Sequence, residues 1–134
     1  MIRHAGLVAL RWRGGWRGVL IEGPSGSGKS DLALRSLADG FRLVADDRVL
    51  VWASGWRCWG RAPDALAGLM ESRGVGVLPI PMLTFAPIDL AIRCVEAPQA
   101  VERDPAGETL DLVGHAVPVF PLWPFDPAAP AKLR

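Results

Sequence analysis

Val19-Leu20-Ile21-Glu22-Gly23-Pro24-Ser25-Gly26-Ser27-Gly28-Lys29-Ser30 is the stretch that decides the fold. The apolar run Val19 to Ile21 reads as a strand that feeds directly into a loop matching G-x-x-x-x-G-K-[ST]. Glycines in such a loop let successive backbone N–H groups converge on a phosphate without Cβ obstruction. Behind it, Leu32, Ala33, Leu34 and Leu37 mark a short helix over residues 30–38, with Gly40 as its stop. That helix starts at the loop, so its free N–H groups and dipole face an anion. Lys29 supplies a point charge for the β- and γ-phosphates, and Ser30 offers its hydroxyl to Mg²⁺. The expected ligand is ATP with Mg²⁺, held by Gly23, Pro24, Ser25, Gly26, Ser27, Gly28, Lys29 and Ser30. A glycine-rich turn without a ligand is the plain alternative, and the strand before and helix after the loop argue against it.

Outward from the loop, Gly6 to Arg11 reads as a strand joined to Val19–Ile21 through the turn Arg13-Gly14-Gly15. Downstream, Phe41 to Val44 is a strand ending in Asp46-Asp47. Val49 to Trp52 and Trp56 to Trp59 form a second hairpin around Ala53-Ser54-Gly55. Pro63 is expected to open a short helix through Met70, proline being favoured at the first helical position. Gly74 to Ile80 and Ile88 to Val95 read as extended, and Val101 to Thr109 as a polar loop. Pro118, Pro121, Pro124, Pro127 and Pro130 imply a closing arm without long helix or strand. There is no repeat and no linker. The expectation is one domain over residues 1–134, of mixed α/β class, with many strands and few helices.

A phosphate loop needs a second element to hold metal or accept a proton. Asp46-Asp47 ends an apolar strand, where carboxylates in an α/β sheet can meet a nucleotide. Adjacent residues on an extended strand point to opposite sides, so one aspartate faces the metal and the other the acceptor, unless the strand bends there. Neighbouring carboxylates also shift each other's proton affinity, which suits acid–base work. An acidic turn is the bland reading. Glu71-Ser72-Arg73-Gly74-Val75-Gly76 is a third candidate: Glu71 for metal or water, Arg73 for developing phosphate charge. A helix end followed by glycines would look the same. His4, before the first strand, is by itself an ordinary surface histidine.

The 134 residues carry a net charge of +1 with 22% charged residues, which argues against a general nucleic-acid binder. Arg3, Arg11, Arg13 and Arg17 crowd the N-terminus and read as solvated arginines on a hairpin. Half the residues are hydrophobic (50%), enough for a core without staples. Cys58 and Cys94 form no C-x-x-C and read as free, buried thiols of a reducing compartment. No apolar run approaches a membrane span and no leader is visible, so the expectation is a cytoplasmic protein without membrane contact. Six tryptophans without a tyrosine fit hairpin packing, with an interface role as the sharper reading.

Taken in order, His4, the loop Gly23 to Ser30, Val44-Ala45-Asp46-Asp47 and Glu71-Ser72-Arg73-Gly74-Val75-Gly76 resemble the catalytic domain of HPr kinase/phosphorylase. The last stretch looks like that family's E-x-R-G-x-G signature, and the likeness covers about Met1 to Val95. The proline-rich arm from Pro118 to Arg134 looks like the tail of the short, alphaproteobacterial forms. The larger members carry an additional N-terminal domain, and the expectation here is the catalytic domain alone. The resemblance implies a P-loop α/β fold related to phosphoenolpyruvate carboxykinase, assembled as a homo-hexamer. It implies an enzyme that phosphorylates a serine of the phosphocarrier HPr with ATP. The same enzyme would remove that phosphate with inorganic phosphate, releasing pyrophosphate, and so regulate the phosphotransferase system. Carried over residue by residue, Lys29 and Ser30 bind phosphate and metal, and Asp47 is the general base with Asp46 beside it. His4 matches the histidine near that aspartate, and Glu71 and Arg73 match active-site signature positions.

Two rival readings stand beside this one. A P-loop kinase of another acceptor would carry the same loop, because acceptor pockets leave no short motif. A nucleotide-gated binding module for a partner such as a sensor kinase would keep the loop and dispense with the base. The presence of Asp47 and Arg73 favours chemistry.

Overall fold

The computed structural model describes residues 1–24, 26–63, 69–72, 76–79, 82–96 and 108–124, with backbone alone at 69–72 and 76–79. In chain order the strands are β1 (Ile2–Arg3), β2 (Gly6–Trp12) and β3 (Gly15–Glu22), followed by helix α1 (Lys29–Ser36) and a 3-10 turn, Leu37–Asp39. Then come β4 (Arg42–Ala45), β5 (Val49–Ser54), β6 (Arg57–Arg61), β7 (Leu69–Ser72) and β8 (Gly76–Pro79). The series closes with β9 (Ala86–Pro87), β10 (Leu90–Cys94), β11 (Thr109–Leu112) and β12 (His115–Leu122).

The hairpin β2–β3 is set by its turn. Trp12 pairs with Gly15, leaving Arg13 and Gly14 as a two-residue loop, both at positive φ (50° and 81°). That conformation matches the right-handed twist of the flanking strands. The second hairpin, β5–β6, pairs Ser54 with Arg57 across Gly55 and Trp56, one residue later than the expected turn.

Six strands form one sheet in the order β11-β12-β10-β3-β2-β4, and four form another in the order β1-β5-β6-β9. Side chains alternate along each strand, and the burial follows. Leu7, Ala9, Leu20 and Ala91 face the four-stranded sheet, among Val49, Val51, Cys58 and Ile88. Val8, Val19, Ile21 and Ile92 face the opposite way, onto Leu32 and Ala33 of α1, with Phe41, Leu43 and Leu122. The molecule is thus layered: small sheet, large sheet, helix. The sheets approach closely at glycines. A Cβ on Gly60 would lie 2.7 Å from Leu7 Cδ2 and 2.8 Å from Val49 Cγ1, and one on Gly18 would lie 1.9 Å from the carbonyl oxygen of Pro87.

Three expectations are corrected. Leu69 and Met70 begin β7 and pair with β8, so the helix expected up to Met70 does not reach its end; residues 64–68 lie outside the described residues. Thr109 starts β11 rather than closing a loop; residues 101–107 of that loop lie outside the described residues. The third concerns proline: β12 runs eight residues through Pro118 and Pro121. Register explains it. Val119 donates its N–H to the Glu108 carbonyl oxygen (3.0 Å), on the β11 side. Successive N–H groups point to opposite sides, so Pro121 faces the β11 side where β11 has already ended. Pro118 faces the β10 side before the pairing with β10 begins at Ala91↔Val119. Neither proline removes a ladder bond.

Candidate nucleotide and phosphoryl-transfer site

Strand direction gathers the site. β3 and β10 are parallel, β2 is antiparallel to β3, and β4 is antiparallel to β2. The end of β3, the end of β4 and the start of β2 therefore share one edge of the large sheet. The phosphate loop follows β3 there, Asp46 follows β4, and His4 precedes β2. Ligands of open α/β sheets bind at such carboxyl ends.

The loop owes its path to glycine. Gly26 and Gly28 lie at φ 81° and 99°, and Gly28 caps α1 in a left-handed conformation without a side-chain cap. A Cβ on Gly23 would lie 2.7 Å from Ser27 Oγ and 2.9 Å from Cys94 Cβ. Ser27 N–H donates to the Pro24 carbonyl oxygen (3.0 Å), and Leu32 N–H to that of Gly28 (2.9 Å), opening the helix. The Lys29 ammonium lies over the loop, donating to the carbonyl oxygens of Gly23 (2.6 Å) and Pro24 (3.2 Å). Ser25 lies outside the described residues.

Ser30 Oγ donates to Asp46 Oδ1 at 2.8 Å. Asp46 is 7% exposed, one of two buried polar residues among those described. A loop hydroxyl beside a sheltered carboxylate is the donor pair that Mg²⁺ takes from protein in phosphate sites, where phosphates and water complete its octahedron. The residues present fit that ion.

Asp47 differs sharply from its neighbour. It is exposed, and its φ of 71° bends the chain, so the strand turns between the two aspartates rather than continuing extended. Its carbonyl oxygen accepts the Ala5 N–H at 3.0 Å, which brings the His4–Ala5 backbone alongside Asp47. His4 is exposed at the same edge. The structure thus gathers the loop, Asp46, Asp47 and His4. The side chain of Glu71 and all of Arg73 lie outside the described residues, although the Glu71 backbone belongs to β7.

Sequence reading passed over two groups at this edge. Glu22, directly before the loop, accepts from Arg3 Nε at 2.6 Å, so Arg3 is an ion-pair member rather than a solvated arginine. Cys94 ends β10 under Gly23. Burial pushes its thiol up to about 11, against the opposing pull of the Lys29 charge and the Ser27 hydroxyl. Both signals were present, since Glu22 touches the motif and Cys94 ends an apolar strand, but only the strand order makes them neighbours. Of the other hairpin arginines, Arg11 and Arg13 lie over Trp16 and Trp12 at 5.8 and 5.6 Å, while Arg17 lies 3.8 Å from Asp89 and so also joins an ion pair.

The family model described as the HPr Serine kinase C-terminal domain matches residues 7–86. The HPr kinase/phosphorylases of Streptococcus pyogenes serotype M5 and Streptococcus uberis are each 39% identical over 99 residues, covering 73% of this chain. That match spans 32% of each relative, so the chain corresponds to about a third of their length. The solved structure of the Hpr(Ser) kinase/phosphatase from Coxiella burnetii superposes with a TM-score of 0.80 at 24% identity, over 99% of this chain and 86% of that one. The strand-rich α/β architecture is therefore a shared fold.

Proposed function

Because the chain belongs to the HPr serine kinase C-terminal domain family, we propose that it is an ATP-dependent protein-serine kinase acting on the phosphocarrier HPr. The same site would run the phosphate-dependent reverse reaction, and the enzyme would regulate the phosphotransferase system. The Ser30–Asp46 contact at 2.8 Å, behind a glycine loop at the carboxyl edge of the sheet, carries the reading. It supplies a metal-binding pair where the loop would hold a triphosphate.

Phosphoryl transfer asks mainly for positioning and charge neutralisation. The loop N–H groups and Lys29 bind the phosphates. Ser30 and Asp46 would hold Mg²⁺, with Glu71 as a further ligand, and the ion would supply charge neutralisation on the bound phosphates. Asp47 takes the proton from the serine hydroxyl as its oxygen bonds the γ-phosphorus and the bond to ADP breaks. In reverse, an oxygen of inorganic phosphate attacks the phosphoserine phosphorus. The bond to the serine oxygen breaks, Asp47 returns its proton to that oxygen, and pyrophosphate leaves. His4 would serve Asp47 from the crossing that the Ala5 N–H ties to the Asp47 carbonyl oxygen, and Arg73 would balance charge on the transferring group.

The protein would work in the cytoplasm as a homo-oligomer, a hexamer by analogy. No helix among the described residues is long and apolar enough to cross a membrane. Free, buried Cys58 and Cys94 suit a reducing compartment. Trp52 and Trp59 pack on Phe85 (6.4 and 5.8 Å between ring centroids), and Phe85 is 53% exposed, which gives the small sheet an apolar outer patch of the kind that partners cover. Incubation with ATP, Mg²⁺ and purified HPr, followed by mapping of the phosphorylated residue, tests the reading. Phosphoserine on HPr is expected; ATP binding with no transfer would instead favour a binding module.

A further inference from the structure

His4 and Asp47 lie in two chain crossings that run side by side. β1 belongs to the small sheet and β2 to the large one, so His4-Ala5 carries the chain from one sheet to the other. β4 belongs to the large sheet and β5 to the small one, so residues 46–48 make the return crossing. The Ala5 N–H bond to the Asp47 carbonyl oxygen ties the two crossings together. Where His4 stands therefore depends on how the sheets are held at this edge.

One ion pair spans the same gap. Arg3, in β1, donates from Nε to Glu22 Oε2 at 2.6 Å, and a second guanidinium nitrogen lies 2.5 Å from that oxygen. Glu22 ends β3, the strand that carries the phosphate loop. The side chains are only 26% and 20% exposed, so solvent screens them less than a surface pair. Beyond Glu22, the parallel register sets it against Arg93, whose guanidinium in turn binds Glu108. Charges thus alternate from β1 across to the segment before β11.

We propose that Arg3 and Glu22 form a positioning clamp that locks the small sheet to the root of the phosphate loop and so fixes His4 beside Asp47. Neither residue is catalytic; both act through His4. The inference rests on the reading of His4 and Asp47 as reaction-site residues, and it deepens that reading.

The experiment uses the full chain and two readouts, hydrogen exchange at the Ala5 amide and steady-state transfer from ATP to HPr. Arg3→Met and Glu22→Gln should each raise Ala5 exchange several-fold. Each should lower kcat on the order of ten- to a hundred-fold, the cost of a small misplacement at a reacting centre. The ATP dissociation constant should change far less than kcat. The exchanged pair, Arg3→Glu with Glu22→Arg, should recover both readouts in large part. Variants that keep Ala5 protection and kcat while only ATP affinity moves would overturn the clamp, leaving Glu22 as a charge that tunes nucleotide binding. Should the exchanged pair fail to fold, salt decides. Added salt should loosen Ala5 in the wild type and not in Glu22→Gln, and equal salt responses would overturn the proposal. If the wild type transfers no phosphate to HPr, the functional reading fails, while Ala5 exchange still decides the clamp.

Discussion

Asp47 holds a φ of 71°, which aspartate and asparagine tolerate far better than other side chains. Asp47→Asn therefore removes a proton acceptor with little backbone penalty, which makes it the clean substitution there. Turnover with ATP and HPr should fall by about a hundred- to ten-thousand-fold, with ATP affinity nearly intact. Asp46→Asn should instead raise the Mg²⁺ requirement and be partly rescued by more metal, because Asp46 meets Ser30. Steady-state rates across a Mg²⁺ titration separate the two; full metal rescue of Asp47→Asn would move the base elsewhere. Cys94 offers a second residue-scale prediction. Its thiol is raised from 9.0 to about 11 by burial, so the folded state keeps its proton where the unfolded state has lost it. The associated stability is present below pH 9 and is lost as pH rises towards about 11. Urea midpoints of wild type and Cys94→Ala, measured through that window, should show the wild type falling more steeply; parallel slopes would contradict the assignment.

Elements meet here through glycine. Gly60 of β6 lets the small sheet settle onto Leu7 of β2 and Val49 of β5, with no room for a Cβ. Gly60→Val should destabilise the fold by about 1–3 kcal/mol, the ordinary cost of overpacking a core. A denaturation midpoint equal to wild type would mean that the sheets part freely at this point. The sequence could not have shown this contact, because Gly60 and Leu7 are brought together by sheet order alone. What was legible was local. The loop Gly23 to Ser30, the turn expected at Arg13-Gly14-Gly15 (of which Gly15 already belongs to β3) and the stop at Gly40 each carry their conformation in a few adjacent residues. Pro118 was misread for the opposite reason: whether a proline breaks a strand depends on which side its missing N–H faces, and that is a property of register. Leu69 and Met70 likewise belong to β7 through pairing with β8, a partner that no local signal at Pro63 reveals. At the site, Lys29, Ser30 and the aspartate pair were readable from their motifs. The Arg3–Glu22 bond was not, since it joins residues 19 apart across two sheets.

At the scale of the whole molecule, the layers bring the loop, both aspartates and His4 to one open edge and leave the aromatic patch on the outer face of the small sheet. That separation allows copies to pack without closing the site. Light scattering at micromolar concentration should give a mass several times the 14.4 kDa of one chain. A single-chain mass would reject the assembly, and Trp52→Ser with Phe85→Ser should shift the distribution toward the single chain. Every role assigned at the edge presupposes that the chain moves a phosphoryl group onto HPr. The direct test is transfer of label from γ-labelled ATP to purified HPr, run with wild type and Lys29→Ala under the same Mg²⁺ concentration. The wild type should place label on a serine of HPr, and Lys29→Ala should place none, having lost the ammonium that the loop holds over Gly23 and Pro24. Unlabelled HPr with active wild-type nucleotide binding, or equal labelling by the two proteins, would contradict the account.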